Sequence, residues 1–172
     1  MVYRGNMKAQ SAMEYLMTYG WAILIIAIVL VALFSLGIFN SSSFINTTCI
    51  ATSGFQCSSV SLTPSGMSLT IGQATGQTWT TANVFFLGPG VTSPPSTLNS
   101  VAVNTISGGL STGQTVTVTL GNYISSSSGA VTAMPSTTGQ TLSGQVWVSY
   151  TTASSGSSSL YTEIATANIK VS

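Results

Sequence analysis

Residues Trp21 to Phe39 read WAILIIAIVLVALFSLGIF, nineteen consecutive residues without a charge. At 1.5 Å per residue, a helix of this run covers roughly 28 Å, about the hydrocarbon thickness of a bilayer. It is apolar on every side, so its surroundings must be lipid or other apolar helices, not the surface of its own domain. Arg4 and Lys8 precede it and no cation follows closely. This asymmetry puts the N-terminus in the cytoplasm and residues 40–172 outside. The chain therefore reads as a long N-terminal hydrophobic helix followed by a separate β domain, an α+β class.

On the N-terminal side of the run lies a short basic leader, MVYRGNMKA, residues 1–9. A secretory signal peptide would have a shorter apolar stretch and a small-residue cleavage site after it. Here the exit, Leu36, Gly37, Ile38 and Phe39, offers no Ala-x-Ala. A permanent single-span anchor is the plain structural reading. The segment between leader and run, Lys8-Ala9-Gln10-Ser11-Ala12-Met13-Glu14-Tyr15-Leu16, adds a third. It resembles the class III signal peptide of archaeal type IV pilin-like proteins, a resemblance that covers the N-terminal third of the chain. The resemblance implies cleavage by a prepilin peptidase at Ala9–Gln10, on the cytoplasmic side, which makes Glu14 the fifth residue of the mature chain. It also implies a hydrophobic helix over residues 10–39 that moves from the membrane into a filament core, and an assembly ATPase with its membrane platform.

Glu14 needs a physical reason, because an acid near a bilayer centre costs on the order of 3 kcal/mol, less toward the interface. After cleavage the new amino group of Gln10 is positive, and in a staggered stack it reaches Glu14 of a neighbouring copy. The pair would neutralise both groups and set subunit register, the role the resemblance implies for such a glutamate. The alternative is a solvated acid near the helix start, favoured by the helix dipole. Gly20 and Gly37 each cost about 1 kcal/mol within a helix. In a bundle Gly20, with Ala22, Ala27 and Ala32, would let neighbouring backbones approach. Tyr15, Tyr19 and Trp21 suit an interfacial aromatic belt.

Charge excludes most other functions. Only five of 172 residues are charged, or 3%, against roughly 25% in an ordinary domain. His and Asp are absent, and between Tyr15 and Thr162 nothing ionises except Cys and Tyr. General acid–base catalysis, metal-assisted hydrolysis and nucleophilic triads need groups that titrate or ligate near neutral pH. The expectation is a protein that is not an enzyme and holds no cofactor or metal. A formal charge of +1 is likewise too small for a nucleic-acid partner. Disorder combines low hydrophobicity with high net charge, and an apolar fraction of 44% favours a folded chain.

Beyond Asn40 the period changes from helix to strand. Val116–Leu120 and Gln145–Tyr150 alternate apolar and polar, with Val101–Ile106 and Ile164–Val171 looser and Val84–Leu87 and Met67–Ile71 as further candidates. Gly and Pro punctuate them, as at Gly88-Pro89-Gly90 and Gly108-Gly109. Six or seven short strands predict an antiparallel sandwich of immunoglobulin-like type over residues 63–172. Its solvent faces carry Ser and Thr in place of charge, so neighbouring subunits, loops or sugar must protect its edges.

Residues 40–62 read as a neck. Asn40 and Asn46 each head an Asn-x-Ser/Thr sequon, a candidate glycan site. Cys49 and Cys57, with seven residues between them, are the only cysteines. Outside the cell an even pair favours a disulfide, the alternative being two buried thiols. Together these features predict the structural subunit of an extracellular type IV pilus-like filament, assembled from copies of itself and used for adhesion. The competing expectation is a permanently membrane-anchored surface-binding module.

Overall fold

The computed structural model describes the backbone of residues 7–39 and 46–172, with side chains of the helix from Met13 onward. The chain divides into two compact units, Met1–Phe44 and Ile45–Ser172.

The first unit is one helix, α1, over Met7–Ser35, 29 residues long, or about 43 Å. It begins inside the expected leader, because Met7, Lys8 and Ala9 are all good helix formers. It ends before Phe39, where the apolar run would have carried it. The cause is Gly37, whose φ of +69° turns the chain into the left-handed region. There the Gly37 N–H donates to the Phe34 carbonyl at 3.1 Å and the Ile38 N–H to the Leu33 carbonyl at 3.4 Å. These two bonds satisfy carbonyls that the helix end leaves open, the arrangement a glycine just past a helix permits.

The second unit has ten strands: β1 (Thr48–Ala51), β2 (Phe55–Thr63), β3 (Gly66–Gln73), β4 (Trp79–Leu87), β5 (Val103–Ile106), β6 (Thr115–Leu120), β7 (Asn122–Ile124), β8 (Val131–Ala133), β9 (Thr141–Thr152) and β10 (Leu160–Lys170). A seven-stranded sheet runs β1-β10-β9-β4-β7-β8, with β5 also paired to β4, and a three-stranded sheet runs β2-β3-β6. The unit is a sandwich-like arrangement of these two sheets. All six strands expected from periodicity are present, although Val101 and Ala102 belong to a 3-10 turn over Ser100–Ala102 in front of β5. Two expectations are corrected. The sheets are not wholly antiparallel, since β4 and β7 pair in parallel at Leu87 and Ile124. The neck ends earlier than residue 62, because β1 and β2 already belong to the sheets.

Alternation builds the core between the sheets. Leu62, Met67, Leu69 and Ile71 point in from the three-stranded sheet, and Val84, Phe86, Val146, Val148 and Ile169 from the other. A second, smaller core lies on the opposite face of the seven-stranded sheet. There Phe85 and Leu87 of β4 are buried with Val91, Ala102 and Ile124, and Trp147 packs against them. Residues 88–102 thus act as a cover for this part of the sheet, which removes apolar surface from water at about 25 cal/mol per Å².

The solvent faces are tied by hydroxyls. Thr70 and Thr117 meet across β3 and β6 at 2.8 Å, and Thr80 and Thr81 both reach the Thr151 hydroxyl, at 2.8 and 2.7 Å. Edge groups find partners as well. The Asn104 side chain donates to the Thr119 carbonyl on β6 at 2.9 Å, and the Ser172 N–H donates to Leu62 on β2 at 3.0 Å. Loops and side chains of the chain itself therefore occupy part of the edges that lack charged protection.

Candidate functional site

Among the described residues the largest unsatisfied surface is α1 itself. Met13–Ser35, 23 residues, forms one helix long and apolar enough to cross a membrane, a property shared by anchors and signal sequences. Its side chains are exposed around the whole circumference: Ile23 is 63% exposed, Leu24 58%, Ile25 49% and Ile26 60%. These four consecutive residues point about 100° apart around the helix axis, so no single face is set aside for water. A rod of this kind needs lipid or like helices around it.

The rod is not uniform. Ala27 opens a shallow notch flanked by Leu24, Ile28 and Val31. A β carbon built on Gly20 would meet nothing within 4 Å, so the glycine is not required by the helix alone. Both positions are thin points where another helix can approach closely. Below them Tyr15 and Tyr19 lie ring against ring, with centroids 4.4 Å apart. Glu14 is exposed one position before Tyr15, and its main-chain carbonyl accepts from the Thr18 hydroxyl at 2.8 Å. It is the only charged side chain of the described helix from Met13 on.

Ala9 and Gln10, the expected cleavage pair, lie within the first turns of α1. Their side chains lie outside the described residues, as does the rest of the leader before Met7. Gln10 precedes Glu14 by one helical turn, so within one chain the two share a helix face. The register contact expected between copies is a property of an assembly and is taken up below.

Cys49 and Cys57 are joined, with Cα atoms 6.0 Å apart. Cys49 lies in β1 and Cys57 in β2, so the bond links the seven-stranded sheet to the three-stranded one. This bridging role had no local signal, because β1 is only four residues long. Asn46 is exposed just ahead of β1, and the next residue, Thr47, accepts from the Lys170 N–H through its hydroxyl at 3.2 Å. Asn40, the other sequon, lies outside the described residues. Among the described residues no three His, Cys, Asp or Glu side chains gather as a metal site would require.

No protein-family model, curated protein or solved structure matches the chain. The functional reading accordingly rests on the residues and on the N-terminal motif.

Proposed function

We propose that this chain is a structural subunit of an extracellular type IV pilus-like filament. The observation that carries the proposal is the rod Met13–Ser35, exposed on every side and carrying a single acid at its second residue. Burying such a helix among copies of itself removes apolar surface from water at about 25 cal/mol per Å², tens of kcal/mol over its length. A bare mature helix would not stay soluble, so assembly passes from membrane to filament without exposing it. In this reading a prepilin peptidase cuts Ala9–Gln10, an ATPase and membrane platform drive the transfer, and Glu14 pairs with the Gln10 amino group of a neighbour. The protein is not an enzyme, and its β unit, of immunoglobulin-like type, serves surface attachment. Two packed sheets around one core support that type of sandwich. A glycan on Asn46 or Asn40 completes the proposal, and an intact mass equal to the bare polypeptide would remove it.

N-terminal sequencing of the native protein, with electron microscopy of shed material, tests the main reading. A start at Gln10 in fibres containing this polypeptide supports it. A start at Met1, with the protein confined to membranes, supports the alternative of a permanently anchored surface-binding module. The observation on the side of that alternative is that α1 runs without interruption through Ala9 and Gln10.

A further inference from the structure

Between Ile45 and Ser172 the chain carries two charged side chains, Glu163 and Lys170, and both belong to β10. They are seven residues apart, and in a regular strand an odd separation puts side chains on opposite faces. A bulge changes that. Glu163 pairs with Trp147 but Ala165 with Val146, so Ile164 is an extra residue, and Ile164 and Ala165 both turn into the main core. Glu163 and Lys170 consequently share the sheet face away from that core, with Thr166 and Asn168 exposed between them. Their partners on β9, Trp147 and Thr141, stand six residues apart, or about 20 Å. The acid and the base are too distant to pair within one chain.

The face between them is open, because the segment 88–102 covers only the part around Phe85 and Leu87. At the acid end, Trp147 stands opposite Glu163 in register and Tyr161 lies two positions before it. Tyr161 is 41% exposed, and the Trp147 Nε1–H donates to the Gln145 Oε1 at 3.1 Å. Midway between the charges, where Ala167 pairs with Gly144, the face has a shallow hollow of about 270 Å³, rimmed by Ile50, Ser143, Thr166 and Asn168. Ile50 projects from this rim 69% exposed.

We propose that this face docks on the same face of a second copy, about a two-fold axis that crosses β10 at Ala167. Such an axis, lying between the stacked faces and perpendicular to the strand, reverses β10 and keeps it over β10. Each Glu163 then meets the Lys170 of the other copy, an isologous contact in which one pairing implies its twin. Stacked sheets lie about 10 Å apart, a gap that a Glu and a Lys side chain together span. The arriving ammonium also meets the Trp147 and Tyr161 rings, whose faces attract cations. The row Ile50, Thr166, Gln145 comes over the row Thr48, Asn168, Ser143 of the other copy, so each Ile50 is received at the hollow. A parallel arrangement would oppose like charges, and charge therefore selects the antiparallel one. Exposed ion pairs contribute little singly, which corresponds to a dissociation constant on the order of 0.1 mM. Copies within one filament are related head to tail, without such a two-fold. The contact would therefore join filaments lying antiparallel, a use that rests on the filament reading; pairing of two chains does not.

The test is sedimentation equilibrium of the full-length chain in density-matched non-ionic micelles at low salt, up to about 1 mM. The chain is used unglycosylated, because Asn46 adjoins Thr47, whose hydroxyl accepts from the Lys170 N–H. A monomer–dimer equilibrium that salt weakens is expected. Glu163→Lys and Lys170→Glu each turn both pairs into like charges and should weaken it about tenfold, with melting temperatures unchanged. An equimolar mixture of the two variants, and the chain carrying both substitutions, should recover the parent's association. If Glu163→Lys fails to fold, Lys170→Glu alone and its salt dependence decide. The proposal is overturned by a parent that stays monomeric, by a dimer indifferent to both substitutions, as apolar helices sharing a micelle would give, or by folded variants that do not associate when mixed. The micellar chain need not polymerise. Charge-dependent dimers without fibres therefore retain this proposal and count against assembly, and fibres from a chain that fails these tests do the reverse.

Discussion

Gln73 is 2% exposed, yet all its polar atoms are engaged, holding the loop after β3 to the segment before β6. Replacing it by Leu would leave the Thr75 N–H and hydroxyl without their acceptor, while the Leu110 and Gln77 carbonyls keep the Trp79 N–H and the Thr112 hydroxyl, a loss of about 1–3 kcal/mol. Gln73→Leu should lower the melting temperature of the β unit by roughly 5–10 °C, checked by near-ultraviolet circular dichroism. A drop under 2 °C would show that water replaces the lost partners. Glu14 is the opposite case, an exposed side chain whose value appears only in an assembly. If it pairs with a neighbour's Gln10 amino group among apolar helices, removing one partner costs about 3–5 kcal/mol. Glu14→Gln should therefore abolish fibres in sheared supernatants while the chain stays in the membrane fraction; normal fibre yield from this variant would refute the register role. Periodicity singled out Glu14, because a lone acid beside a long apolar run stands out locally. It gave no hint of Gln73, whose partner Leu110 is remote in sequence.

At the scale of elements, the disulfide between β1 and β2 closes a short loop while joining two sheets. Closing a loop of this size stabilises by about 2–3 kcal/mol in the chain-entropy model. Reduction, or Cys49→Ser with Cys57→Ser, should lower the melting transition by about 10 °C, measured by calorimetry with and without reductant. A coincident pair of transitions would show that strand pairing alone holds β1. The helix was legible because its signal is continuous and local, and its stop could be read only in part. Gly37 was visible, but its capping bonds decide that the helix ends at Ser35. Strands β7 and β8, three residues each, are too short for alternation to register. In β2 the pattern is broken between Ser58 and Ser61 by a register shift, with Ser59 at a φ of 51°, so its apolar residues fall out of step. The cover over Phe85 and Leu87 also escaped notice, because a stretch rich in Pro and Gly gives no sign of which face it will lie on.

For the whole molecule, scarcity of charge is the governing property. Folding stability varies with pH only through groups whose proton affinity differs between folded and unfolded states, and residues 45–172 contain just one acid and one base, Glu163 and Lys170. The melting temperature of the β unit should change by less than about 5 °C between pH 4 and 9, and equally little between low and molar salt, since screening has few charges to act on. A steep pH dependence by calorimetry would contradict this.

Mechanical load on a fibre would enter the β unit at its N-terminal side and meet β1 first. That strand is short and lies at the rim of its sheet, so hydrogen bonds alone would let it peel. The Cys49–Cys57 bond stops the peeling at its second residue and diverts the pull into the neighbouring sheet. Two layers then resist together, and the weakest strand ceases to be the point of failure.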